Sequence, residues 1–171
     1  MEQVVLVDDS GAPIGTMPKQ QVHSEATPLH LAFSCYVFNE HGMLLLSRRA
    51  LSKKTWPGVW TNSFCGHPQP EEATFEAVHR RAQQELGARV RSVQLVAPEF
   101  RYRAVDASGI VENEICPVYT AVIDSDLTPN PEELMQWEWA RPRQLAEAAQ
   151  AAPFVFSPWM IEQLPLVPTG A

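Results

Sequence analysis

No apolar run in this chain reaches the roughly 18 residues that a membrane-spanning helix needs. Cysteine is scarce. Cys35, Cys65 and Cys116 are odd in number, widely spaced and never arranged as CxxC, which excludes a zinc ribbon and leaves a reduced, cytoplasmic setting as the expectation. Positive charge is in deficit, with 13 Lys and Arg against 20 Asp and Glu and a formal net charge of -7. Broad nucleic-acid binding needs the opposite balance, because phosphates are neutralised by surplus cations. The opening Met1-Glu2-Gln3-Val4-Val5 lacks a basic segment followed by an apolar one, so no secretory signal is expected. There is no internal repeat and no low-complexity block. The 171 residues suit one domain over 1–164, followed by a loose tail over 165–171.

What is present is local and chemical. The run Trp56-Pro57-Gly58-Val59-Trp60-Thr61-Asn62-Ser63-Phe64-Cys65-Gly66-His67 sets a thiol and an imidazole two residues apart, beyond a Trp-Pro-Gly turn. Glu112 and Glu114 form a second pair with the same spacing. On strands, each pair would send both side chains to one face. A thiol, an imidazole and two carboxylates in one pocket suit metal-assisted proton transfer. The few cations cluster as well: Arg48, Arg49, Lys53 and Lys54 fall within seven residues, and Arg80-Arg81 follow. A cationic pocket on an acidic protein suits a small anion.

Periodicity and turn chemistry predict strands over 3–7, 29–38, 43–47, 91–96, 100–104, 110–123 and 137–140. Pro70, the Phe75, Val78, Ala82 and Leu86 spacing and Gly87 predict a helix from 70 to a glycine cap. Further helices are expected over 142–150 and from Ser157-Pro158 onward. The order gives one mixed α/β (α+β) domain.

These residues resemble the Nudix signature at Gly66, Glu72, Arg80, Glu85 and Gly87, but Arg81 and Gln84 stand where that signature has glutamates. Within the fold, the chain resembles the type I isopentenyl-diphosphate isomerases. The matching strings include Leu29-His30-Leu31-Ala32-Phe33, Arg48 to Lys54, the Trp56–His67 run, Phe100-Arg101-Tyr102-Arg103, Gly109 to Glu114, and Phe156-Ser157-Pro158-Trp159-Met160. The resemblance implies a Nudix-like mixed sheet sandwiched between helices. It implies interconversion of isopentenyl and dimethylallyl diphosphate through a tertiary carbocation-like species, in isoprenoid precursor synthesis.

By the same resemblance, Cys65 and Glu114 are acid/base groups on opposite faces of the substrate. Tyr102 is the hydrogen-bond partner of Glu114, and Trp159 is the aromatic over the prenyl group. Lys19, Arg49, Lys53 and Arg81 bind the diphosphate. His23, His30, His67, Glu112 and Glu114 hold one divalent ion (Mn²⁺, Zn²⁺ or Mg²⁺). Glu85 holds Mg²⁺ with the substrate diphosphate. The expected partner is a prenyl diphosphate, with no nucleic acid, no membrane, and a monomeric or homodimeric state. Two other readings remain at this point: a Nudix diphosphohydrolase, and a ligand- or metal-binding module without turnover. Taken singly, Cys65 would pass for a buried inert thiol, Glu112 and Glu114 for solvated strand residues, and Trp159 for a core anchor. Cys35 and Cys116 are expected in the core, and His41 and His79 outside the site.

Overall fold

Two breaks in the chain decide the architecture of this computed structural model, which describes residues 2–168. The strand expected over 29–38 is interrupted at Ala32, giving β3 (His30–Leu31) and β4 (Phe33–Phe38). The long strand expected over 110–123 is interrupted at Cys116-Pro117, giving β10 (Val111–Ile115) and β11 (Val118–Ile123). Pro117 has no N–H and cannot continue a ladder. Both breaks fall at one level: the Ala32 N–H donates to the Ile115 carbonyl at 2.9 Å and the Ser34 N–H to the Pro117 carbonyl at 3.1 Å. Two neighbouring segments therefore pass together from one sheet to another.

The smaller sheet also contains β1 (Gln3–Val7), β2 (Pro13–Pro18) and β9 (Arg101–Val105), in the order β2-β1-β3-β10-β9. The larger one adds β5 (Leu44–Arg49), β8 (Val90–Ala97) and β12 (Leu134–Ala140), in the order β12-β5-β4-β11-β8. Short β6 (Trp60–Thr61) and β7 (Phe64–Gly66) pair with β5 and β4. Strand β2 and the single turn α1 (Lys19–Val22) carry no periodic signal and are additions to the sequence reading.

The larger sheet has a core on each face. Phe33, Cys35 and Val37 of β4 pack with Ala77 and Val78 of α2 (Thr74–Arg81). Tyr36 packs on the other face with Leu145 of α3 (Pro142–Ala151) and Met160 of α4 (Pro158–Gln163). The expected sandwich between helices thus describes the larger sheet, and the smaller sheet flanks it.

Helix α2 starts later than Pro70. Residues 70 and 71 form a turn, and Glu71 adopts φ +65°, which no helix accommodates. Phe75, expected to point inward, is half exposed and stacks on His79 at 4.9 Å. The helix then widens into a π-helical turn over Ala82–Leu86, which carries Glu85. Gly87 closes it at φ +58°, where a Cβ would lie 2.1 Å from the Thr128 carbonyl oxygen, so only glycine fits.

The tail expected from Pro165 begins too early. Leu164–Leu166 form a 3-10 turn, and Leu164 and Val167 are both buried, three residues apart on one side. The part of that expectation over 169–171 lies outside the described residues. No helix among the described residues is long and apolar enough to cross a membrane.

Candidate active site

A cavity of about 510 Å³ opens between the two sheets. Its lining includes Lys19, His23, Arg49, Lys53, Cys65, His67, Arg81, Glu85, Tyr102, Glu112, Glu114 and Trp159. Every site residue expected from the sequence is there except His30, which is fully buried behind the wall.

The smaller sheet explains the placement of the carboxylates. Glu112 and Glu114 are both on β10 and share a face because strand side chains alternate. In the ladders, Glu114 stands between His30 on β3 and Tyr102 on β9. His23 follows α1, and His67 follows β7. Ring centroids of His23, His30 and His67 lie 5.3–5.7 Å apart. Glu114 Oε1 lies 3.3 Å from His67 Nε2 and 3.4 Å from His30 Nε2. One ligand atom from each of His23, His30, His67 and Glu114 falls within 4.8 Å of all the others. Glu112 joins through His23, with Oε2 and Nε2 2.9 Å apart.

The donor set fits a divalent cation. His23 Nε2, His30 Nε2, His67 Nδ1 and Glu112 Oε2 are buried and make no hydrogen bond. The His23–Glu112 approach is close, yet neither atom is aimed at the other as donor to acceptor. Buried polar atoms left unpaired are costly unless something else satisfies them. Burial pushes the His67 imidazolium down to about 4, against the pull of Glu114, so the ring is neutral near pH 7 and offers a lone pair. Burial pushes His30 the same way, but there Glu114 prevails and the pKa lies above its ordinary value. Burial alone would raise Glu114, but the His30 and His67 imidazoles against its Oε1 outweigh burial and hold it well below the usual carboxylate range. The Nδ1 of His30 is already taken by the Pro28 carbonyl at 2.8 Å, which fixes which nitrogen faces the cluster.

Cys65 is on β7, opposite Ser34 of β4. Its Sγ lies 3.4 Å from Ser34 Oγ and 3.4 Å from Asn62 Oδ1. Burial pushes the thiol up to about 11, so it carries its proton at neutral pH. Trp159 follows a Ser157 N-cap that is tied to β6: the Ser157 N–H donates to the Trp60 carbonyl at 2.9 Å, and Ser157 Oγ meets Thr61 Oγ1 at 2.7 Å. The indole is 3% exposed, packs edge-on to Trp56 at 5.4 Å and lies 5.8 Å from Tyr102. The hydrogen bond expected from Tyr102 to Glu114 is not formed; the two are ladder neighbours, and the Tyr102 side chain leans toward Trp159 instead.

The cations are held by carboxylates. Arg81 Nη2 pairs with Glu85 Oε1 and, at 3.2 Å, with Glu133 Oε1. Lys53 pairs with the other oxygen of Glu133, and Lys19 with Glu2 at 2.7 Å. Arg49 reaches Thr55 and stands over the Trp159 ring. As expected, Cys35 and Cys116 are buried, while His41 is exposed and neither it nor His79 reaches the cavity.

A NUDIX domain model matches residues 28–160. The isopentenyl-diphosphate Delta-isomerase of Clavibacter michiganensis subsp. michiganensis is 60% identical over 166 residues, covering 97% of this chain and 86% of its own length. The Kocuria rhizophila protein of that name is 56% identical over 163 residues, covering 95% and 91%. The chain belongs to the NUDIX family, with the isopentenyl-diphosphate Delta-isomerases.

The fold agrees with solved structures, NUDIX hydrolases among them. A Deinococcus radiodurans crystal structure aligns with a TM-score of 0.74 at 22% identity, covering 96% of this chain and 98% of its own. A MutT NUDIX hydrolase from Burkholderia pseudomallei aligns at 0.64 and 20% identity, covering 82% and 98%. Those likenesses speak for the fold alone.

Four residues of this NUDIX site escaped the sequence reading. Thr55 donates to Glu112 Oε1 at 2.7 Å and its carbonyl accepts from Arg49. Asn62 bonds to both Cys65 and Trp159. Glu2 and Glu133 anchor the cations. Asn62 and Thr55 flank or sit within the Trp56–His67 run, which was the one available signal. Glu2 and Glu133 are far away in sequence and have none.

Proposed function

We propose that this NUDIX chain interconverts isopentenyl and dimethylallyl diphosphate. One observation carries the reading: a thiol, a buried carboxylate and an indole face share a single cavity with five cations, Lys19, Arg49, Lys53, Lys54 and Arg81. An alkene is a weak base, and the tertiary cation formed on protonation is captured by water unless water is excluded. The site therefore needs an acid, a base, a cation stabiliser and a dry wall.

Cys65 holds a proton at Sγ at neutral pH and faces the hydrocarbon. Glu114 works from the other face, so that one proton is added to the terminal alkene carbon and another then leaves the carbon on the other side of the tertiary cation, whose C–H electrons form the new double bond. Reversibility makes each group acid in one direction and base in the other. The Trp159 face stabilises positive charge, by about 2 kcal/mol or more in a dry setting. Tyr102 packs beside it and narrows the prenyl end.

His23, His30, His67 and Glu114 would hold a divalent ion, with Glu112 as fifth ligand. When bound, that ion tunes the acidity of the Glu114 carboxyl group. Imidazole and carboxylate together suit Mn²⁺, Zn²⁺ or Mg²⁺. Lys19, Arg49, Lys53 and Arg81 grip the diphosphate, and Glu85 would hold a Mg²⁺ that accompanies it. The reading extends to a cytoplasmic enzyme, monomeric or homodimeric, with no nucleic-acid or membrane partner.

Hydrolysis is disfavoured by two residues of α2 and its π-helical turn. Arg81 and Gln84 occupy positions where NUDIX hydrolases carry metal-binding glutamates, and Gln84 Oε1 accepts from Arg80 and Arg81 at 3.1 and 3.2 Å.

Incubation with isopentenyl diphosphate in deuterated water tests the reading. Deuterium in recovered dimethylallyl diphosphate is expected. Failure to form that product with metal supplied would overturn it.

A further inference from the structure

We propose that Asn62 is a positioning residue of this site, holding the Cys65 sulfur and the Trp159 indole in one frame. The inference rests on the roles read above for those two residues. Asn62 is fully buried and every polar atom of its side chain is engaged. Its Oδ1 accepts from Trp159 Nε1 at 2.9 Å, from Thr61 Oγ1 at 2.8 Å and from Cys65 Sγ at 3.4 Å. Its Nδ2 donates to the carbonyls of Cys35 at 3.1 Å and Phe64 at 2.8 Å.

The orientation of the amide is fixed by chemistry. An indole N–H only donates, and a backbone carbonyl only accepts. Oxygen must therefore face Trp159, and nitrogen must face the two carbonyls. Because Oδ1 cannot donate, the contact with Cys65 requires the S–H to point at Asn62. Ser34 Oγ, 3.4 Å from the same sulfur, already accepts from Gln163 Nε2 and can donate its own proton to Cys65, which leaves the S–H for Asn62. A sulfur donor at 3.4 Å makes a weak bond, so breaking it adds little to the cost of moving the proton to an alkene.

The two carbonyls matter as much. Cys35 belongs to β4 and Phe64 to β7, so the amide is clamped to the larger sheet before it touches either functional side chain. Trp159 arrives from α4, far away in sequence, and its ring edge is set by the same oxygen. One buried amide thereby relates an acid on a strand to an aromatic face on a helix. Misplacement of a reacting group by about 1 Å costs roughly 10²-fold in rate.

The test compares wild type with Asn62→Leu, which matches the side chain in size and removes all five hydrogen bonds. With the variant folded, kcat is expected to fall about 10²-fold with a much smaller change in KM, because Asn62 bonds to none of the diphosphate cations and reaches only Arg49, through Trp159. An unchanged kcat in a folded variant overturns the proposal, as does a rise in KM with kcat unaltered. A second measurement does not depend on turnover or on the folding of that variant. In ¹⁵N-labelled protein, Cys65→Ala removes one donor from Asn62 Oδ1. The indole N–H resonance of Trp159 should move while those of Trp137 and Trp139 stay in place. No movement overturns the shared frame. If wild type does not isomerise at all, the functional reading fails, and the resonance experiment still decides the role of Asn62.

Discussion

The guanidinium carbon of Arg49 stands 5.3 Å from the centroid of the Trp159 ring. A cation thus rests on the aromatic face proposed to stabilise the positive charge of the reaction, and the ends of the cavity proposed to take the diphosphate and the prenyl group meet at this pair. Arg49 is steadied there by the Thr55 carbonyl, with Nη2 at 2.8 Å and Nε at 3.1 Å. Arg49→Lys keeps the charge but loses the planar fork. Steady-state kinetics should show KM for isopentenyl diphosphate raised about tenfold, the size of one charge-assisted hydrogen bond. An unaltered KM would remove Arg49 from the diphosphate site.

Cys65→Ala and Glu114→Gln should each lower turnover by at least about 10²–10⁴-fold, the range of a positioned acid or base. Thermal unfolding would establish that the variants are folded. Near-normal turnover in either one would reject the role given to it.

Metal should stabilise the fold. After treatment with a chelator, added Mn²⁺ or Zn²⁺ should raise the melting temperature, by an amount equivalent to about 2.7 kcal/mol at a hundredfold excess over Kd. His30→Ala should abolish the rise. Identical melting with and without metal would count against the four-ligand cluster.

Phosphate should stay on the substrate. A colourimetric phosphate assay with isopentenyl diphosphate is expected to read background, because Arg81 and Gln84 take the place of metal-binding carboxylates. Rapid release would restore the hydrolase reading.

Acid should act through Glu133. Burial pushes its carboxyl up, but Lys53, Arg81 and Lys19 outweigh burial and bring it down to about 2 from an ordinary 4.5. A depressed carboxylate stabilises the folded state above its unfolded value, and the contribution is lost as pH falls through the window from 4.5 to 2. The melting-temperature gap between wild type and Glu133→Gln should be full near neutral pH and close across that window. A gap that persists at the acid end would show that Glu133 acts by packing.

The parts legible in the sequence were those with short-range signals. Ser157-Pro158 announced α4, Gly87 announced its cap, and the paired spacings at Cys65/His67 and Glu112/Glu114 placed each pair on a strand or its edge. The division into two sheets was not legible. Residues 29–38 and 110–123 read as continuous strands, and only the missing N–H at Pro117 hinted at a break. Helix α2 starts late because Glu71 takes a left-handed backbone, which its residue type does not announce. The ligand set came from family likeness, since His23 and His30 have no diagnostic spacing. Glu2 and Glu133 became visible only once folding set them against Lys19, Lys53 and Arg81.

Gly66 separates Cys65 from His67 and underlies the cationic end. A Cβ there would lie 2.7 Å from Arg81 Cγ and 2.8 Å from the Phe33 ring. The smallest residue is thus the keystone between sulfur, imidazole and guanidinium. Adding one methyl group at that point would press on Arg81 and Phe33 at once, and so disturb the strand edge that carries Cys65 and His67 together with the guanidinium beside it.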